Sequence, residues 1–216
     1  MPFTTEQFFD LFTRYNTAIW PAQWVLLALA AAVVIASWAR TSAGSRMVAA
    51  GLGVLWLWAG AAYHLAFFRA INPAATIFGV AFVLEGLLLV GVALGHPRVT
   101  FAPRRDVLGV LGWALVVYAL LVYPALGRLA GHAYPATPTF GTPCPMTIFT
   151  FGIFLWVKGR MPWWLLLIPG IWALVGLAAA LALGVPQDVG LIAAAAIAIP
   201  AVLTRGRQAA RMRTQP

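Results

Sequence analysis

Six side chains stand out from an apolar background by the chemistry they carry: Tyr63, His64, Glu85, His132, Cys144 and Asp188. Glu85 is the sharpest of them. In FVLEGLLLV it is the lone ionisable residue between Pro73 and Gly95. A run of that length places the carboxyl near the middle of a bilayer. An acid there is costly, so it marks a functional site or a hydrogen-bonded tie between helices. No Lys or Arg shares its depth, so it requires some other partner. His64, in GAAYHLAFF, lies one hairpin earlier. A turn around Asn72 sets His64 roughly opposite Ala81, with Glu85 about 6 Å further along the axis. Over that gap a carboxylate can orient an imidazole or share its proton, directly or through one water. With the neighbouring Tyr63 hydroxyl, Glu85 and His64 form the expected substrate- or ion-binding set. His132 and Cys144 bracket a Pro- and Thr-rich segment. The Cys-Pro step puts the sulfur at a helix start, beside the positive end of the helix dipole. Imidazole, thiolate and carboxylate are ligand types of zinc and copper. His64, His132 and Cys144 are therefore the candidate metal set, although no CxxC or HxxxH spacing accompanies them.

The elements that position these residues follow from composition. The chain has 216 residues, 62% hydrophobic and 9% charged, with mean hydropathy +0.90. A soluble domain carries about 25% charged residues, so a soluble globule and a disordered chain are both excluded. A membrane-spanning helix needs about 20 apolar residues. Apolar runs at 20–39, 47–68, 73–95, 106–125, 144–157, 162–184 and 186–203 make seven candidate spans. The fifth is short: its helical length of about 21 Å falls below the ~30 Å hydrocarbon core. The preceding GHAYPATPTFGTP is too rich in Pro, Thr and Gly for regular helix. Irregular backbone at membrane depth survives only where protein or water satisfies it. Ahead of the first span, Phe3, Phe8, Leu11, Phe12 and Tyr15 recur at helical spacing, with Thr4 or Thr5 as cap. This predicts a short amphipathic helix at the interface.

The expected fold is thus an all-α membrane protein of seven transmembrane helices. Residues 1–19 form the interfacial helix, 20–204 the bundle and 205–216 a basic cytoplasmic tail. Charge sets the orientation. With the N-terminus outside, Arg40, Arg46, Arg98, Arg104, Arg105, Lys158, Arg160, Arg205, Arg207, Arg211 and Arg213 lie inside, and only Arg14, Arg69 and Arg128 lie outside. That asymmetry obeys the positive-inside rule and predicts N-out, C-in. The net charge of +9 is then a topology signal, and the partner is the lipid bilayer rather than nucleic acid. His96, at an inner helix end, reads as a cap. One cysteine excludes an intrachain disulfide, and residues 1–19 lack the basic start and cleavage site of a signal peptide. The sole lysine, Lys158, falls in an inner loop, so no Schiff-base lysine sits at membrane depth. Phosphate-loop, GxSxG and HExxH patterns with their partners are missing.

YNTAIWPAQ at 15–23 and PCPMTIFTFG at 143–152 carry a resemblance. In these segments the chain resembles a family of uncharacterised bacterial multi-pass membrane proteins. The shared order is an amphipathic start, a W-P-A-Q opening to the first span, an embedded Glu and a Pro-Cys-Pro segment before a short span. The resemblance implies a bacterial inner-membrane location and transfers no activity. Three functional expectations follow from the residues. The first is a small transporter or channel-like protein for a cation, proton or small solute, with an outward polar site. The second is a membrane-embedded redox or metal-binding enzyme, with a metal ion as cofactor. The third is an accessory subunit or homo-oligomer packing through small-residue faces such as Gly91xxxGly95 and Ala194–Ala196.

Overall fold

The computed structural model describes the backbone of residues 2–95 and 99–214, and side chains as far as Arg205. His96 and Arg98, and the side chains of Arg207, Arg211 and Arg213, lie outside the described residues. The helices are α1 (Thr5–Ala18), α2 (Ala22–Trp38), α3 (Ser42–Ala70), α4 (Ala75–Gly95) and α5 (Val107–Leu129). They continue as α6 (Pro143–Phe154), α7 (Trp163–Leu183) and α8 (Val189–Thr214), the last preceded by a single turn, Pro186–Asp188. Strands β1 (Thr100–Phe101) and β2 (Val157–Lys158) form one short antiparallel ladder.

The protein is all-α in character, and five of its helices are long and apolar enough to cross a membrane. These are α3, α4, α5, α7 and the stretch Pro186–Arg205. Helices α1 and α2 together pass the same test as a sixth, bent by 85° at the Trp20-Pro21 step. The sequence predicts seven spans; α2, with 17 residues, and α6, with 12, fall short of spanning length on their own. In α6 the reason is enclosure. All of its residues but Cys144 are buried, so it packs as a core helix, and protein rather than lipid meets the irregular segment before it. Helix α8 runs on into the stretch expected as a basic tail, as far as Thr214.

Contacts sort the bundle into two ends. At one end α1 packs Phe8 on Phe68 at the close of α3. There Asn16 bonds to Pro135 and Thr137, and Tyr123 of α5 bonds to Asp188 before α8. At the other end Phe101 N–H donates to Ser45 Oγ, β1 pairs with β2, and Arg205 meets Asp106. Helices α2 to α8 therefore run alternately between the two ends. The closest packing is α3 against α4. A Cβ on Gly60 would come within 2.9 Å of the Gly79 carbonyl, and one on Gly86 within 2.8 Å of the Gly53 carbonyl. Small residues at such a crossing let two backbones meet, as in membrane helix pairs. Along the middle of the long helices the side chains turned outward are apolar, and the exposed cations Arg46, Arg69 and Arg128 stand near helix ends. Ile35, Ile77, Leu94, Val107, Leu121 and Leu181 are all exposed, an apolar exterior that suits lipid.

Two helices widen to π geometry along their course: α3 over Ala59–Phe67 and α5 over Tyr118–Val122. In α5 the cause is local. Pro124 has no N–H to give, and its ring displaces the carbonyl four residues back. Wide turns of this kind re-aim side chains and gather at functional sites. Here they lead into Tyr63 with His64, and into Tyr123.

Candidate functional site

A cavity of about 200 Å³ opens at the end of the bundle that carries α1. Its walls come from α1 (Phe8, Phe12), α3 (Tyr63), α4 (Phe78), α7 (Trp172) and the segment entering α6 (Thr142 to Cys144). Asp188 closes its polar side. None of the lining residues is Lys, Arg or His.

Local sequence explains each placement. Thr4 caps α1 through a reciprocal box with Gln7, which satisfies two otherwise orphaned N–H groups. Phe8, Leu11, Phe12 and Tyr15 then share one buried face. That face lies on the bundle and roofs the cavity. Phe8 and Phe12 meet edge to face at 4.8 Å, and Phe12 stacks on Tyr63 at 5.9 Å. One turn later Asn16, fully buried, fastens the chain before α6. Its amide donates to the carbonyls of Pro135 at 2.7 Å and Thr137 at 2.8 Å, and its oxygen accepts from Thr139 Oγ1 at 2.7 Å. Tyr15 adds a hydroxyl that accepts from Trp58 Nε1 at 2.8 Å. Thus YNTAIWPAQ and PCPMTIFTFG, far apart in sequence, meet across one short segment.

Asp188 is the site's central charge-bearing group. It is 2% exposed and accepts from the Tyr123 hydroxyl at 2.5 Å. The Cys144 thiol is the carboxyl's second neighbour. Cys144 sits in the first turn of α6, between two prolines that suit that position because neither has an N–H to leave unpaired. It is half-buried and lines the cavity beside Gly176.

The residues singled out by sequence distribute as follows. Tyr63, Cys144 and Asp188 line the same cavity. His64 is fully buried one layer behind, its ring 4.6 Å from Phe82 and 5.0 Å from Trp172. Neither of its nitrogens has a hydrogen-bond partner. Glu85 is fully buried, and both its carboxyl oxygens are likewise unpartnered. No direct bond therefore joins His64 to Glu85. The register differs from the expected one: Gly79, not Ala81, faces His64, so closely that a Cβ added at Gly79 would lie 3.1 Å from the His64 Cβ. Glu85 then lies about 9 Å further along α4, with Phe82 packed between. His132 stacks on Phe9 at 3.9 Å and borders a different surface hollow with Arg128 and Tyr134. Among the described residues no three His, Cys, Asp or Glu side chains converge to hold a metal ion.

Sequence reasoning noted Asp188 but gave it no role; it named Trp172 as a deep tryptophan that could line a pocket but weighed it toward packing, and it passed over Tyr123 and Asn16. For Asp188 a signal existed. VPQDVG is the one acidic break in an otherwise apolar stretch from Met161 to Thr204. Nothing in the spacing links it to Tyr123, 65 residues earlier.

The fold and site define a class: a helical bundle with an apolar exterior that encloses, near one end, an aromatic pocket holding a single carboxylate. The chain belongs to a family of unknown function, DUF6064, whose profile matches residues 5–213. Neither a curated protein nor a solved structure matches it.

Proposed function

We propose that this protein is a seven-span transporter of the bacterial inner membrane that admits a small solute from outside into the pocket beneath α1. The alternating course of α2 to α8 supports seven crossings, with α6 sheltered inside the bundle. Charge supports the orientation. Among the described residues the pocket end carries Arg14, Arg69 and Arg128, whereas the opposite end carries Arg40, Arg46, Arg104, Arg105, Lys158, Arg160 and Arg205. Cations gather on the cytoplasmic side, so the pocket faces outward.

The observation that carries the reading is Asp188. It is a buried acid on the wall of an open cavity, held by Tyr123 beside Cys144 at a break between helices. Transport sites are built this way, from interrupted helices around polar groups at a pocket. Cys144, the only cysteine, reports on the site directly. A small membrane-impermeant thiol reagent added to intact cells should modify it, and Cys144→Ser should abolish the signal. Modification only after the membrane is opened would refute the outward pocket.

A further inference from the structure

We propose that the pocket selects a small organic ammonium cation, held by Asp188 and enclosed by aromatic faces. The inference deepens the outward-pocket reading and rests on it. Three observations carry it. Among the described residues the pocket wall carries one carboxylate and no Lys, Arg or His. That carboxylate is removed from bulk water, so its attraction for a cation is screened far less than at a surface. It accepts a hydrogen bond from the Tyr123 hydroxyl and has the Cys144 thiol beside it on the wall. Neither is a cation, so among the described residues no counter-charge lines the site.

The second observation is the wall itself. Phe8, Phe12, Tyr63, Phe78, Tyr123 and Trp172 all border the space. Several of these rings meet edge to face, as Phe8 against Phe12 at 74° and Phe78 against Trp172 at 72°, while Phe12 and Tyr63 lie nearly parallel at 22°. Such an arrangement presents both faces and edges to the interior. Ring faces carry negative potential, and a cage of them is the known recognition mode for alkylated ammonium groups. A sulfonate, phosphate or carboxylate would meet these faces and the Asp188 carboxyl with repulsion. A neutral apolar molecule would leave the carboxyl without a counter-charge.

The third observation is size. A volume of about 200 Å³ lies below the ~300–1,000 Å³ of drug-sized pockets. The occupant is therefore a compact head group, such as a methylated ammonium with a short tail. An inorganic cation fits poorly. It would need several oxygen ligands, and the wall is almost wholly apolar.

Cys144 supplies the test. Three methanethiosulfonates deliver a trimethylammonium-ethyl group, a sulfonato-ethyl group of comparable size, or a much smaller methyl group. In each reaction the thiolate attacks the sulfenyl sulfur, the reagent's S–S bond breaks, sulfinate departs and a mixed disulfide remains. The thiol's proton goes to solvent. Rates on the purified full-length protein are divided by those on a free small thiol, which removes intrinsic reactivity. The trimethylammonium reagent should then react about tenfold or more faster than the sulfonate, as expected for one charge near a desolvated carboxylate. Tetramethylammonium should slow the methyl reagent, and neopentyl alcohol, a neutral molecule of similar bulk, should not. Asp188→Asn should erase the preference between the two charged reagents, read as the ratio of their rates, which cancels the change in thiol reactivity that follows loss of the neighbouring charge. A melting temperature close to the parent's shows that this variant is folded. Phe12→Leu, which keeps an apolar wall but removes a ring face, should weaken tetramethylammonium protection. Equal normalised rates for the two charged reagents, or a preference that survives Asp188→Asn, would overturn the cation proposal alone. In intact cells, failure of both charged, membrane-impermeant reagents to modify Cys144 while the permeant methyl reagent does so would instead overturn the outward pocket.

Discussion

Asn16→Ala should open the pocket without dissolving the bundle. Asn16 makes three side-chain hydrogen bonds to the segment before α6: two donated to the carbonyls of Pro135 and Thr137, one accepted from Thr139. Its side chain is fully buried. Each such bond contributes about 1 kcal/mol net, and a buried group left unpaired costs ~1–3 kcal/mol. Water reaches part of the vacated site, so the sum is about 3 kcal/mol. The loss falls on the docking of one segment and not on the α3, α4 and α6 core, where no partner of Asn16 lies. If reagent reaches Cys144 when that segment lifts, 3 kcal/mol raises the open population about 100-fold, since each 1.4 kcal/mol is tenfold. The assay is the rate of Cys144 modification by methyl methanethiosulfonate in detergent, with thermal melting alongside. Asn16→Asp is the informative companion. It keeps the acceptor for Thr139 but turns a carboxylate oxygen toward two carbonyls, so it should be at least as disruptive as alanine. A labelling rate within about twofold of the parent for both variants would refute the argument, because it would leave less than the free energy of one hydrogen bond to be accounted for.

Three further outcomes follow from the packing and the charges. Gly60→Ala and Gly86→Ala each force a methyl against a backbone carbonyl and should lower stability by about 1–3 kcal/mol; Gly91→Ala, with open space at its Cβ position, should melt like the parent. Glu85→Leu should raise the melting temperature, because both carboxyl oxygens are buried without partners and an apolar replacement removes an unpaired polar group; a clear fall would expose a partner for Glu85. Asp106 is held well below the usual carboxylate range by its hydrogen bonds from Arg104 and from the Gly109 N–H, and by the nearby Arg205 charge. Its folded pKa is depressed, so its stabilisation is present above the unfolded value of about 4 and is lost as pH falls from there through the folded value. At 42% side-chain exposure the effect is modest, and Asp106→Asn should flatten the acid limb of the melting profile below about pH 4.

The apolar runs were legible in sequence because membrane-length hydrophobic stretches dominate every other signal. Helices α3, α4, α5 and α7 start and stop within a few residues of the runs that announce them. The first helix was legible through its periodicity, and its Thr4 cap through the residue type. What periodicity could not give was register between neighbours. A hairpin turn two residues tighter than expected separates His64 from Glu85 and leaves Phe82 between them. Composition also misled about importance. Glu85 is the more conspicuous because its surroundings are wholly apolar, while Asp188 sits among Pro186, Gln187 and two nearby glycines at a helix break. Yet the break is what brings Asp188 onto the cavity wall. Tyr123 carried no signal at all, since an aromatic residue in an apolar span reads as packing until its partner across the bundle is known.

The two segments that carry the sequence resemblance are explained by one mechanical need. The chain between α5 and α6 is irregular, and its polar backbone lies against a bundle whose exterior is apolar. Such backbone must be satisfied by protein. Asn16 does this for the carbonyls of Pro135 and Thr137, and Thr139 returns a bond to Asn16. Gln23, one turn into α2, donates to the Asn16 carbonyl at 2.8 Å, which ties the bend between α1 and α2 to the same point. The fastening leads straight into Pro143, Cys144 and Pro145, so it fixes where α6 begins and how deep Cys144 sits. Loosening α1 would release the segment, and releasing the segment would move the sulfur away from Asp188. The amphipathic helix is thus a structural part of the pocket, roof and fastening together. Its buried stripe of Phe8, Phe12, Tyr15 and Asn16 is spent on protein rather than on lipid.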